Sequence, residues 1–276
     1  MTVPQSSLDL ARIVQQEGGV LLGIADLCVD NLFESLWPQG IVWGKVPFRA
    51  TTGLSFAVPV ARQVLATIGE HPNQLYFHHY RQLNNQLDRI ALRLTQVLEQ
   101  RGVRALPIPA SQIVDWQTQR GLVSHKRIAV AAGLGWIGRN NLLVTRAYGA
   151  QVRLASVLTD LPIGAARDLV ASFGPECSSA FGCRECRACI TVCPAQAIRD
   201  EPSEFDHQAC FAQLREFQRQ GYVGQYVCGI CVRACGPRAG SISRAGSRRA
   251  RTAPGTRSTS GASSRARTSA TMRGLR

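Results

Sequence analysis

The sequence predicts a mixed α/β domain followed by a small cysteine-rich module. Two observations predict it. Helical and strand-like segments alternate through roughly the first 173 residues, the pattern of a layered α/β core. Eight of the ten cysteines then fall between positions 183 and 235, in two runs of tight spacing.

The elements follow in chain order. Ser7–Gln16 reads as a short helix with Leu8, Leu10, Ala11 and Val14 on one side. Gly19–Asp26 (GVLLGIAD) reads as a buried strand, and Thr52–Val60 contains a second, LSFAVPV. Tyr80–Arg101 is the clearest helix: Leu83, Leu87, Ile90, Leu94, Val97 and Leu98 recur at helical spacing and Gly102 follows as a stop. Val103–Ile108 is expected to return to the sheet, and Val152–Leu158 (VRLASVL) to form another strand. Gly174–Cys177 is expected to be the loop that opens the cysteine module.

Gly133–Gly138 (GLGWIG) matches the G-x-G-x-x-G dinucleotide fingerprint. That fingerprint needs a strand before it, a helix after it and an acid about 20 residues on. Ile128–Ala132 is the candidate strand and Asp160 the candidate acid, but Arg139–Gly149 reads as strand and turn, and Trp136 crowds the loop. A nicotinamide site is therefore disfavoured. The glycines still allow backbone to approach a large ligand.

The first cysteine run is Cys183-x₂-Cys186-x₂-Cys189-x₃-Cys193-Pro194; the second is Cys210, then Cys228-x₂-Cys231-x₃-Cys235. The first has the bacterial ferredoxin spacing, in which three close thiolates hold one [4Fe–4S] cluster and the fourth reaches to another. One cluster is then expected on Cys183, Cys186, Cys189 and Cys235, and a second on Cys193, Cys210, Cys228 and Cys231. After Pro194 the chain is expected to enter a helix. Zinc would explain Cys228 and Cys231 but leaves the triple run with a spare thiolate. Disulfides would require an exported chain, and Met1–Arg12 shows no secretory leader pattern. Gly19–Ala25 is far too short to span a bilayer, so no membrane association is expected. Of the two cysteines outside the pattern, Cys28 is expected to be a buried small hydrophobe and Cys177 an unliganded loop thiol.

The formal charge is +14, but ten arginines lie in Gly236–Arg276, which holds no Lys and no acid. Met1–Cys235 carries 22 basic and 18 acidic residues and is only mildly basic. Residues 236–276 are rich in Arg, Ser, Ala, Gly and Thr and are expected to be a disordered basic tail. A passive tail or a frameshift artefact explains its abrupt composition better than a nucleic-acid-binding arm.

The stretch His125–Thr145 (HKRIAVAAGLGWIGRNNLLVT), the strand-like AYGAQVRLASVLTD and the cysteine order resemble epoxyqueuosine reductase and its paralogues, relatives of the reductive dehalogenases. The resemblance covers Ser7 to Cys235. It implies an N-terminal cobalamin-binding-like α/β domain over 1–173, a ferredoxin-like module with two [4Fe–4S] clusters over 174–235, and electron passage to a bound cobalamin and a substrate. Gly133, Gly135, Trp136, Asn140 and Asn141 are implied as corrin neighbours. An external donor such as a flavodoxin or ferredoxin and a cytoplasmic location are implied as well. Two departures matter. Epoxyqueuosine reductases carry V-D-x-x-P-V-L-E-R before the glycine loop, with its Asp as proton donor; Gln119–Lys126 contains no Asp, leaving Asp115 and His125 as weak catalytic candidates. The helical repeats that follow the clusters in the tRNA enzyme have no counterpart in the tail. The sequence thus implies an oxidoreductase of this group with an unknown substrate. A non-catalytic [4Fe–4S] electron carrier is the alternative, and a tRNA epoxyqueuosine reductase, with tRNA as partner, is disfavoured.

Overall fold

The computed structural model describes residues 10–29, 32, 47–170, 182–183 and 185–237. The expectations for Cys177, the 174–177 loop and the tail beyond Pro237 lie outside these residues.

The chain opens with helix α1 (Leu10–Gln16), whose Leu10, Ala11 and Val14 are buried. Strands β1 (Leu21–Asp26) and β2 (Thr52–Pro59) follow, then the short α2 (Arg62–Ala66) and the long α3 (Gln74–Glu99). Asn73 starts α3, its side chain accepting from the Tyr76 N–H at 2.9 Å, a cap that satisfies one of the free donors of the first turn. The six apolar positions that mark this helix in the sequence are all buried. β3 (Ala105–Ile108) comes next, then α4 (His125–Ala131), a small hairpin of β4 (Trp136–Ile137) and β5 (Leu143–Val144), and β6 (Val152–Thr159). The cysteine-bearing part contains α5 (Ile163–Asp168) at its entrance, then α6 (Ala188–Thr191), a 3₁₀ turn (Pro202–Glu204), α7 (His207–Arg219) and α8 (Ile230–Ala234).

The sheet runs β1-β2-β6-β3, and every pairing in it is antiparallel. β2 and β6 form its centre, in register from Thr52 opposite Thr159 to Pro59 opposite Val152. Both faces of these strands are covered, which is why LSFAVPV is apolar at every position but Ser55 rather than alternating. Leu54, Phe56 and Val58 join α1 and α3 in one core, while Ala25, Leu27, Ile108 and Leu158 pack with Ile128 and Ala129 of α4 on the other side. Phe217, Val223, Val227 and Ile230 of the cysteine-bearing segment belong to the first of these cores.

Three local expectations are corrected. Ile128–Ala132 is not a strand but the end of helix α4, which Gly133 closes with φ +73°. An apolar run of five residues fits either element; here Ile128 and Ala129 face the core as helical neighbours. No helix follows Pro194 directly; the short α6 lies before Cys193, and the chain turns until α7. Cys28 is exposed, its N–H bound to the Asp26 carboxylate at 2.9 Å in a surface turn.

Candidate functional site

The eight cysteines of the two runs gather into two groups. Cys183, Cys186, Cys189 and Cys235 line one cavity of about 60 Å³, shared with Trp136, Asn140, Val144, Thr145 and Gly149. Cys235 reaches it because the Ala150 N–H donates to its carbonyl at 2.9 Å and the Gln151 amide donates to the Arg233 carbonyl at 3.1 Å. Burial and the nearby Cys189, Cys183 and Cys186 push the Cys235 thiol up to about 11. The second group is Cys193, Cys210, Cys228 and Cys231. Burial first, then Cys193 and Asp206, push Cys210 up to about 11. Burial, with Cys210 and Cys193, raises Cys228 to about 12. Cys231 is raised well above the ordinary thiol range by burial and by Cys228, Cys210, Cys193 and Cys189. The packing of α6, which carries Cys189, on α8, which carries Cys231, places the two groups side by side.

Thiols so desolvated are poor ligands until a metal displaces their protons, since binding and deprotonation are linked. Among the described residues no three His, Cys, Asp or Glu side chains converge on a single-ion position. The first group instead lines the cavity of about 60 Å³. Asn140 adds a further fit. It is 4% exposed, and its Nδ2 has no hydrogen-bond partner among the described residues. A buried amide donor beside four thiols is suited to a sulfide acceptor, the kind of bond that tunes cluster potentials.

A second, much larger cleft of about 1520 Å³ opens between α3, the segment 109–127, β6 and residues 225–232. It exceeds the usual 300–1,000 Å³ range of small-molecule pockets and has room for a large cofactor. One wall is a polar stripe on α3, in which Tyr76, Tyr80, Asn84 and Asp88 recur every four residues. Arg153 of β6 completes it. Its guanidinium lies 4.2 Å from the Tyr80 ring centroid and donates to Tyr80 Oη at 3.2 Å, Ser111 Oγ at 2.8 Å and Asn84 Oδ1 at 3.0 Å. Tyr80 Oη and Ser111 Oγ are 2.5 Å apart. Burial alone would raise the Tyr80 phenol, but Arg153 and these hydrogen bonds outweigh it and leave the group below its ordinary value. Arg81, Arg120, Lys126, Arg127 and Arg153 line the cleft against Asp88 and Asp115, so the space favours an anionic ligand.

Tyr76 joins this cleft to the second thiol group. It is 4% exposed, lines the cleft and stacks obliquely on Tyr80 with centroids 6.4 Å apart. Its ring lies against Gly229, between Cys228 and Cys231; a Cβ there would fall 2.6 Å from the ring.

The two weak catalytic candidates both line the cleft. His125 Nδ1 meets Ser156 Oγ at 3.0 Å, and its Nε2 meets the Pro109 carbonyl at 3.1 Å. Desolvation lowers its pKa to about 4, so it is a neutral, doubly bonded imidazole near pH 7. The Asp115 carboxylate is tied to the Gln117 and Thr118 N–H groups and the Thr118 hydroxyl; the Thr118 bonds hold its pKa below the usual range.

None of the five implied corrin neighbours lines the large cleft. Gly133 caps α4, and Gly135 lets the hairpin close, since a Cβ there would fall 2.2 Å from the Val144 carbonyl oxygen. Trp136 and Asn140 line the cavity of the first thiol group. Asn141 accepts from Lys126 Nζ through its carbonyl at 2.7 Å and Oδ1 at 2.8 Å, and desolvation lowers Lys126 to about 8. Tyr80, Arg153 and Tyr76 were not singled out by sequence reasoning; the four-residue recurrence of Tyr76, Tyr80, Asn84 and Asp88 along α3 was the available signal for the tyrosines.

No family model matches the chain. Among curated proteins it is 39% identical over 108 residues to a tetrachloroethene reductive dehalogenase of Desulfitobacterium hafniense, covering 37% of this chain and 18% of that protein. It is 31% identical over 152 residues to an epoxyqueuosine reductase of Pseudomonas aeruginosa, covering 55% of this chain and 37% of that protein. The chain thus spans well under half the length of these relatives. Among solved structures, a catabolic reductive dehalogenase in complex with 3-bromo-4-hydroxybenzoic acid superimposes with a TM-score of 0.61 at 17% identity, over 82% of this chain and 31% of that chain. A reductive dehalogenase described as acting by B12-dependent dehalogenation gives 0.55 at 17% identity, over 72% of this chain and 27% of that chain. Epoxyqueuosine reductase from Streptococcus thermophilus gives 0.51 at 20% identity, over 84% of this chain and 65% of that chain. The chain is therefore a homologue of the epoxyqueuosine reductases and reductive dehalogenases, with a mixed α/β fold like theirs.

Proposed function

We propose that the chain is an iron–sulfur oxidoreductase that reduces an anionic substrate in the large cleft with the help of a bound cobalamin. One observation carries this reading: eight thiols gather into two neighbouring groups, and Tyr76, which lines the cleft, packs on Gly229, the residue that follows Cys228 of the second group. Cys183, Cys186, Cys189 and Cys235 would hold one [4Fe–4S] cluster, and Cys193, Cys210, Cys228 and Cys231 the other. When bound, such clusters supply single electrons, and the cobalamin supplies the metal centre at which substrate is reduced. The size of the cleft and the B12-dependent relative support the cobalamin assignment.

The side chains do the rest. The cationic wall orients the substrate. Tyr80, with Arg153 beside it, holds the proton that reduction consumes. His125 and Asp115 keep the cleft's backbone in shape. An external one-electron donor of the flavodoxin or ferredoxin class would deliver electrons at the first cage, where Cys186 is exposed. Among the described residues no helix is long and apolar enough to cross a membrane; we propose a cytoplasmic location.

Anaerobic reconstitution tests the reading. Two cubane clusters require about eight iron and eight acid-labile sulfide per chain, with a broad absorbance near 400 nm that bleaches under dithionite. Added cobalamin should co-elute at about one per chain. Tightly held zinc in place of iron would overturn the proposal. Iron without cobalamin would leave the chain a simple electron carrier.

A further inference from the structure

Arg139 directly follows the glycine loop and lies against the first cage. Its Nη1 donates to the Cys186 carbonyl at 2.8 Å, and its Nε donates to the Asp200 carbonyl. The Asp200 carboxylate pairs in turn with Arg187 at 2.6 Å. These bonds pin the guanidinium of Arg139, a half-buried residue, to the segment that carries Cys183, Cys186 and Cys189. Burial with Cys183 and Cys186 raises the Cys189 thiol, and Arg139 opposes them.

The second cage has the opposite neighbour. Asp206 caps α7, its Oδ1 accepting the Ala209 N–H at 2.9 Å. Cys210 follows four residues later, on the same helical face. A cluster gains one negative charge on reduction. A fixed cation beside it therefore favours the reduced state, and a carboxylate disfavours it.

We infer that Arg139 and Asp206 set the reduction potentials of the two cages apart, the first above the second, so that the first electron to enter the chain rests at the cage of Cys183, Cys186, Cys189 and Cys235. The inference rests on the reading that both cages hold [4Fe–4S] clusters. Each cluster takes one electron from a one-electron donor, which is oxidised by one. Arg139 is half-buried and fixed at two carbonyls, whereas Asp206 is exposed and screened by salt, so Arg139 has the larger effect.

The test is a redox titration of the anaerobically reconstituted full chain, reduced with dithionite in the presence of mediators and followed by electron paramagnetic resonance. Wild type should show two cluster signals at separate potentials. Arg139→Gln should lower the higher one, changing its reduced-to-oxidised ratio about tenfold at fixed poise, or 59 mV for one electron. Arg139→Lys should retain most of the wild-type potential. Asp206→Asn, which keeps a good capping residue, should raise the lower potential by less than tenfold. Iron is assayed in every sample. Unmoved potentials in Arg139→Gln at full iron content would overturn the inference alone. If Arg139→Gln loses iron, an unmoved lower potential in Asp206→Asn, or a shift in Arg139→Lys as large as removal of the charge, overturns it. Wild-type protein without two clusters would overturn the proposed function, and the inference with it.

Discussion

Tyr80 and Tyr76 share a helix face and four residues of separation, yet their surroundings drive their phenols in opposite directions. Tyr76 is raised by burial, and Arg153 only partly offsets this. Tyr80 has Arg153 stacked on its ring and bonded at its oxygen, so its phenol is lowered despite burial. A group that serves as an acid works best when its pKa lies near the working pH. An ultraviolet difference titration of the reconstituted protein against Tyr80→Phe should show Tyr80 ionising below the ordinary phenol value of about 10. In the proposed role the acid form is the active one, so reductase activity should fall as pH rises through that lowered value. Arg153→Gln should move this limb to higher pH, and Tyr80→Phe should cost about 10²–10⁴ in rate while leaving iron content unchanged. A full-rate Tyr80→Phe variant would remove Tyr80 from the chemistry. The sequence could not pair these residues, since 73 positions separate them and an Arg in a strand has many ordinary uses. His125 stood out in the sequence as a titratable group in the stretch where the resemblance expects a proton donor. Its two bonded nitrogens show why titratability by side-chain type is a weak guide: burial sets the protonation state, and burial is a property of the fold.

At the scale of elements, the cysteine spacing was the most legible signal because it is local. Three thiols at x₂ intervals can curl around one cage whatever the rest of the chain does. The periodicity of α3 was legible for the same reason, although the Asn73 cap starts it six residues earlier than the apolar pattern and it ends at Glu99, two residues before Arg101. The antiparallel sheet was not legible, because alternation of helices and strands says nothing about which strands pair. α8 shows how an element can couple distant parts. Gly229 enters it with φ +80° and lies against the Tyr76 ring. Ala at this position meets two obstacles, a left-handed backbone and a ring 2.6 Å away. Gly229→Ala should therefore destabilise the protein by roughly 1–3 kcal/mol, and should perturb the cluster of Cys193, Cys210, Cys228 and Cys231 before the other. Thermal melting together with electron paramagnetic resonance would separate the two effects. A variant with wild-type stability and two unchanged cluster signals would show that the Tyr76 contact is slack.

The whole molecule poses a question of cooperativity. Read from the sequence, the chain divides near residue 173 into a layered domain and a cysteine module. In space, Phe217, Val223, Val227 and Ile230 pass into the same apolar core as Leu54, Phe56 and the buried face of α3. Cys235 is bonded through its carbonyl to Ala150, just ahead of β6, so the last thiol of the first group is held by the sheet's own central strand region. Structural metal sites add their binding energy to folding, and a shared core should transmit that energy to the whole chain. Two independent modules would lose their visible absorbance and their helical signal at different temperatures. One cooperative unit should lose both together. We expect circular dichroism at 222 nm and cluster absorbance near 400 nm to fall in one transition under anaerobic heating. Val227→Ala and Leu87→Ala, on opposite sides of the presumed division, should each lower that single midpoint. Large-to-small changes at buried sites typically cost 2–5 kcal/mol for Leu and less for Val, so the Leu87 change should have the larger effect. Bleaching of the clusters well below the main unfolding transition, with Leu87→Ala leaving the bleaching temperature untouched, would show that the cysteine segment melts on its own despite its share in the core.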